Sequence, residues 1–288
     1  MENLRFLEMP TLKSPNVAVG FSGWANAGEV SSGAISYLIS KLRAVKYAEL
    51  EPDPFYDFTK TRPIGTISGG VEQGFEFITS EFFYWQTPEG EHDLVLFLGS
   101  EPHLRWKEYT ECFFAAIDRF EPARLYVLGS FYDSTPHTRP SVVSAAVGDV
   151  EDKAKLEEHA LLFTDYKGPT SIHSMLQHAC RERGIPSLGL WTGTPHYLPT
   201  ANPKAWEAML TRLLPMLEIK LDLSDLKRRG EQLDRQVNQA LVQNPKLHQY
   251  VRQLEEAIEA QEDQEPLRSD EIIKSLEDFL RKKQQEES

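Results

Sequence analysis

The sequence predicts an α/β protein built on a largely parallel sheet, and three observations predict it. Four apolar runs end alike, in glycine and small polar residues: Val17–Ser22, Leu94–Ser100, Leu125–Ser130 and Leu188–Gly193. Two of them close on the same triplet, Leu98-Gly99-Ser100 and Leu128-Gly129-Ser130. Stretches of helical periodicity separate most of the runs. Short continuous apolar segments are how strands buried on both faces read, with glycine where the chain leaves each carboxyl end. Ligands of open α/β sheets bind outside those ends, so the loops after the four runs are where functional residues are expected.

In chain order, Asn26 reads as a helix N-cap with Glu29 three residues on, and Val30, Ala34, Leu38 and Leu42 follow at helical spacing. Gly65–Trp85 breaks the pattern. Gly69-Gly70 and Gly74 precede an alternation through Phe75, Phe77 and Thr79, then the aromatic run Phe82, Phe83, Tyr84, Trp85. This predicts a β-hairpin inserted at about 65–90. Its four aromatics lack an evident core of their own and are expected in an oligomer interface. Arg105–Phe120 predicts a second helix, stopped by Glu121-Pro122. A third spans Thr170 to Arg183, with Ile172, Met175, Leu176, Ala179 and Cys180 as its apolar stripe and Gly184 as its stop. His173 and His178 fall on its polar side, as surface residues. Asn202-Pro203 starts a fourth helix.

Beyond residue 217 glycine almost disappears, and Glu, Gln, Lys and Arg dominate. Asn244-Pro245 opens a helix with Leu247, Tyr250, Val251, Leu254 and Ile258. Ser269-Asp270-Glu271 opens another after the polar linker Ala260–Arg268. Their apolar stripes are narrow and must be covered by the α/β body or a partner. The expected organisation is therefore a core over 1–217 and a helical region over 218–288 that packs on it.

The chain has 288 residues and a net charge of −13, a poor match to nucleic acid, where Lys and Arg must neutralise phosphates. No run of about 18 apolar residues predicts a membrane span. The first residues show no basic region followed by an apolar one, so no secretory signal is expected. Cys112 and Cys180 sit among apolar residues as small buried hydrophobes, which fits a reducing cytoplasm.

The four loops carry the chemistry. The first, Ser22 to Gly28, leads into a helix N-terminus whose free N–H groups could hold an anion; equally it is a tight connection over a buried Trp24. In the second, Glu101 either caps the next helix or faces the cleft as a base. The third, Tyr132 to Pro140, holds His137, Thr138 and Arg139 between two prolines. Arg139 either clamps a carboxylate or phosphate or pairs with an acidic neighbour. The fourth holds Pro195, His196 and Tyr197. No helix carries metal-ligand spacing and no serine sits in a nucleophile elbow, so no metal, cofactor or catalytic residue is assigned. Trp24, Asn26, Glu101, His137, Thr138, Arg139, Pro195, His196 and Tyr197 are expected to converge in one concave site, with a small anion as its ligand.

At these residues the chain resembles a family. FSGWANAG at 21–28, LGSEP at 98–102, HTRP at 137–140, GPTSI at 168–172 and PHYLPTANPKA at 195–205 match, in order, the bacterial and archaeal proteins related to proteasome assembly chaperone 2. The resemblance implies a three-layer α/β/α sandwich similar to nucleoside phosphorylases and peptidyl-tRNA hydrolases. It also implies an oligomerising hairpin, a helical lid over the cleft, and homotrimers. Proteasome-docking members end in a hydrophobic residue, Tyr and any residue, whereas this chain ends Gln284-Gln285-Glu286-Glu287-Ser288, so direct proteasome docking is not expected. The expected function is a chaperone-like assembly or interaction protein with a protein partner. The alternative is a small-molecule-binding protein or enzyme with a phosphorylase- or hydrolase-like cleft under the lid.

Overall fold

A computed structural model describes residues 3–148, 152–153 and 161–262. Eleven strands and six helices are introduced in chain order among these residues. They are β1 Leu4–Phe6, β2 Asn16–Ser22, α1 Val30–Leu42, β3 Val45–Leu50, β4 Ile64–Ser68, β5 Val71–Glu76, β6 Ser80–Trp85 and β7 Leu94–Ser100. Then follow α2 Trp106–Ile117, β8 Arg124–Asp133, β9 Val143–Val147, β10 Leu162–Phe163, α3 Ile172–Arg183, β11 Ser187–Pro195, α4 Pro203–Met216, α5 Ser224–Gln243 and α6 Pro245–Glu262.

Nine strands form one sheet in the order β1-β3-β6-β7-β2-β8-β11-β9-β10. The four apolar runs are its centre: β7, β2, β8 and β11 lie side by side and all parallel. Toward the edges β6, β3 and β1 on one side and β9 on the other add antiparallel. The pleat sends Val17, Val19 and Phe21 of β2 to one face, under α2 and α3, and Ala18 to the other, under α1 and α4. Two apolar cores, one on each face, make the three layers. The layers touch where glycine permits. A Cβ on Gly20 would stand 2.3 Å from the Ser31 carbonyl, and one on Gly33 2.2 Å from the Trp206 ring. α1 thus lies directly on β2 and against α4.

The strand order also has a seam. Every strand from β1 to β7 that joins this sheet lies on one side of the β2–β8 boundary, and β8 to β11 lie on the other.

The inserted hairpin differs from its predicted extent. β4 and β5 alone form the detached two-stranded sheet. Phe82, Phe83, Tyr84 and Trp85 lie in β6, between β3 and β7 in the main sheet. Phe82 is fully buried, its ring 4.7 Å from that of Phe97 and 5.4 Å from that of Phe113. Phe83, Tyr84 and Trp85 pack against the two cores. The aromatic run therefore has a core within its own chain, and within this segment the exposed apolar side chains are Ile64, Ile67, Val71, Phe75 and Phe77.

Asn26 does not cap as the capping box requires. A 3-10 turn, Ala27–Glu29, precedes α1, and Glu29 takes a left-handed conformation at φ 53. The Asn26 side chain instead spans six residues, Oδ1 accepting from Ser32 N at 3.0 Å and Nδ2 donating to Ser32 Oγ at 2.8 Å. The other helix signals hold: Asn202 Oδ1 accepts from Ala205 N, and Gly184 closes α3 at φ 68. The predicted helix after Ser269 lies outside the described residues.

α5 continues onto the body. Leu226 is buried in the α1/α4 core, and Asp225 accepts from the Tyr37 hydroxyl at 2.5 Å and from Lys41 Nζ at 2.9 Å. These bonds, the Tyr37 one first, hold the Asp225 carboxyl down at about 2. Val237, Leu241 and Val251 then pack over Tyr197 and Leu198, which brings α5 and α6 across the strand-end loops.

Candidate functional site at the strand carboxyl ends

The parallel centre delivers the four loops to one end of the sheet. At the ends of β2 and β7, Ser22 Oγ and Ser100 Oγ lie 2.6 Å apart. Glu101 follows. Its Oε1 accepts from Ile172 N at 2.9 Å and its Oε2 from Trp24 N at 3.3 Å. Glu101 therefore caps α3, a helix 71 residues away in sequence, and not the one that follows it. A carboxylate suits the positive end of that helix. Trp24 is 62% exposed, so the tight-turn reading with a buried indole does not hold.

At the ends of β8 and β11 a denser cluster forms. Asp133 shapes the third loop by accepting from Thr135 N at 2.9 Å and Thr135 Oγ1 at 3.0 Å. His137 is 3% exposed. Its N–H donates to the Tyr197 hydroxyl at 2.8 Å, and that hydroxyl lies 2.8 Å from Nδ1. Nε2 faces Asn238 Oδ1 at 3.2 Å. One assignment satisfies all three contacts: Tyr197 donates to Nδ1, and Nε2–H donates to Asn238. Burial pushes the Tyr197 phenol up to about 12, so it stays protonated. His196 is held likewise, Nδ1 at 2.7 Å from the Asp133 carbonyl and Nε2 at 2.6 Å from the Tyr250 hydroxyl. Thr138 Oγ1 donates to Glu255 at 2.7 Å, and Arg139 pairs with Glu259 at 3.4 Å. Lys204 donates to the His137 carbonyl and pairs with Asp234 at 3.0 Å.

His137, Thr138, Arg139, Pro195, His196 and Tyr197 are thus brought together, beneath α5 and α6. Glu101 is bonded to Trp24 and to α3. Asn26 lies between the groups, bridged to Ser130 of β8. The cavity left under the helices is about 30 Å³, lined by His137, Arg139, Pro195, Lys204 and Asp234 among others. That is room for water, not for a nucleoside. Both ring nitrogens of both histidines are bonded, so neither stands beside a serine as a base. Among the described residues no group of His, Cys, Asp or Glu is arranged to hold a metal ion.

A second polar group was not anticipated. β2 and β8 pair only as far as Gly20 and Leu128. Beyond that point the Ser31 hydroxyl stands between them, accepting from Phe21 N at 2.9 Å and donating to the Leu128 carbonyl at 2.5 Å. His173 Nε2 donates to the same carbonyl at 2.9 Å, and Nδ1 accepts from Ser171 Oγ at 3.1 Å. His173 is 1% exposed, which overturns its expected place on the surface. Its position repeats with Leu176 and Cys180 at i, i+3 and i+7, the spacing that signals the buried face. Burial lowers its pKa to about 4, so it is neutral. Lys204, Asn238, Tyr250, Glu255 and Glu259 were also unanticipated. Lys204 lies inside the 195–205 motif, whereas on α5 and α6 Glu255 and Glu259 carry only an i, i+4 spacing and Asn238 and Tyr250 no signal of the site.

The comparisons with known proteins agree with this fold. The PAC2 family profile matches residues 20–241. The proteasome-assembly chaperone homologue of Mycobacterium tuberculosis is 31% identical, with a TM-score of 0.74 over 82% of this chain and 99% of its own. A PAC2 family protein of Streptomyces avermitilis is 32% identical, with a TM-score of 0.71 over 78% of this chain and 95% of its own. PbaB of Pyrococcus furiosus, described as an archaeal proteasome activator, shares the fold at 21% identity and a TM-score of 0.67, over 83% of this chain and 99% of its own. No curated protein sequence matches the chain.

Proposed function

This chain belongs to the PAC2 family, and from that premise we infer that it is a chaperone-like assembly or interaction protein. The observation that carries the reading is the likeness to the mycobacterial proteasome-assembly chaperone homologue, at 31% identity over 82% of the chain. The strand-end loops support it. Their carboxylates, imidazoles and cations are bonded to helix ends and to α5 and α6, an arrangement that fixes loops and leaves no reacting group poised. The same reading takes the working protein as a cytoplasmic homotrimer with β4 and β5 at the contact, and α5 and α6 as a lid over the strand ends. The support for that contact is the hairpin itself: Ile67 is 74% and Phe75 64% exposed, and a lone two-stranded sheet is marginal in water.

Two measurements test the function. A protein partner should co-elute with the purified chain in size-exclusion chromatography. In a thermal-shift screen, nucleosides, nucleotides and phosphate should leave the midpoint unmoved. A small molecule that raises the midpoint strongly, with no protein partner bound, selects the ligand-binding alternative, since binding the folded state must stabilise it.

A further inference from the structure

The two helices over the strand-end loops are held unequally. α5 is fixed at its start by buried Leu226 and by the Asp225 bonds to Tyr37 and Lys41, and at its middle by Asp234 and Lys204. α6 holds on by one face. Val251 is its buried apolar residue, with Leu247, Leu254 and Ile258 partly covered. Its polar grips are Tyr250 on His196, Glu255 on Thr138 and Glu259 on Arg139. The three polar grips, Tyr250, Glu255 and Glu259, fall at i, i+5 and i+9 along one helical stripe. Toward α6 the surface they meet presents two donors, the Thr138 hydroxyl and the Arg139 guanidinium, while Lys204 is already paired with Asp234 of α5 and both histidines hold hydrogen bonds. Few buried apolar contacts and rim ion pairs place a helix at the low end of local stability.

We propose that the surface formed by residues 135–139, 195–198 and the facing side of α5 is a recognition site for an acidic amphipathic helix of a partner protein, which α6 fills in cis. The proposal rests on the interaction-protein reading above and adds the partner's chemistry. The partner helix carries aliphatic residues spaced as Leu247, Val251 and Leu254, and carboxylates where Glu255 and Glu259 stand. The Thr138 and Arg139 donors select its carboxylates, and the tether of α6 supplies the competition. A tethered segment acts at an effective concentration of about millimolar, so α6 excludes weak acidic helices and yields to a tighter one.

The probe is a synthetic peptide of residues 245–262. Full-length protein carrying Glu255→Lys/Glu259→Lys, in which the cis helix is repelled by Arg139, should bind the wild-type peptide saturably. Adding Arg139→Glu should weaken that binding about tenfold, and raised salt should weaken it as well. In the unaltered protein, excess peptide should speed amide exchange of the chain's own residues 246–262 while α1 to α4 keep their protection. This second measurement stands even if the charge variant fails to fold. Absence of both effects overturns the proposal. Exchange of α6 between two copies, seen as dimers that the peptide dissociates, overturns the assignment to a foreign partner. Loss of the peptide effects with a partner still held through the hairpin sinks this inference alone. A small-molecule ligand with no protein partner sinks the reading beneath it.

Discussion

Ser31 and His173 meet over a single carbonyl, that of Leu128, and the meeting has a pH signature. His173 titrates near 4 in the folded protein against 6.5 when exposed. Between those values the unfolded chain takes up a proton that the folded chain refuses. The stability His173 provides is therefore complete above about pH 6.5 and is lost as the pH falls toward 4, by about 3 kcal/mol in all. His173→Gln keeps a donor for Leu128 and removes the titration. Urea melts at pH 7.5, 6 and 5 should show a shallower fall for the variant, and equal slopes would contradict the account. Glu101 makes a second, milder prediction. Glu101→Ala removes the acceptor from Ile172 N and should cost about 1 kcal/mol, with the sheet otherwise intact. An unchanged midpoint would return Glu101 to the cleft as a group free for chemistry.

Among elements, the central strands were legible because a strand buried on both faces has no polar side to dilute its signal. Val17 to Phe21 and Leu94 to Leu98 read as strands at sight. Strands farther out, such as Val45–Leu50 with its Lys46 and Glu49, alternate too weakly to stand out. The sequence does not mark the hairpin's far end, because alternation runs on from Phe75 through Phe77 and Thr79 into β6, and no glycine marks where one sheet stops and the other starts. Site residues were legible where proline and glycine fix a loop. Their helical partners were hidden, because Tyr250, Glu255 and Glu259 resemble any solvated face until the fold sets them against His196, Thr138 and Arg139. This also fixes what α5 and α6 do alone. An isolated 224–262 peptide should show little helix by circular dichroism, since its stability comes from the body beneath it. A cooperative melt of that peptide would show the segment to be a domain in its own right.

For the whole molecule the first question is how many copies act together. Light scattering on the eluted protein should give a three-chain mass. Val71→Ser/Phe75→Ser should lower that mass without moving the thermal midpoint of the core, since both side chains lie outside the two apolar clusters. A parent that elutes as a single chain at micromolar concentration removes the hairpin contact.

The boundary between β2 and β8 bears on how the chain is made. Residues up to Ser100 supply β1, β3, β6, β7 and β2, and these pair with one another and with nothing later except across that boundary. A nascent chain can therefore complete half of its sheet while the rest is still in the ribosome, as N-terminal regions commonly do. That half keeps β1 as the edge it has in the finished sheet and leaves a second edge, β2, still to be paired. The second half, β8 to β11, joins the first through the β2–β8 pairing. Ser31 and His173 then pin the join, one from each half, on opposite faces of the sheet. Cleavage between Phe120 and Arg124 would leave two pieces with complementary edges and one half each of the pin, the makings of a split reporter.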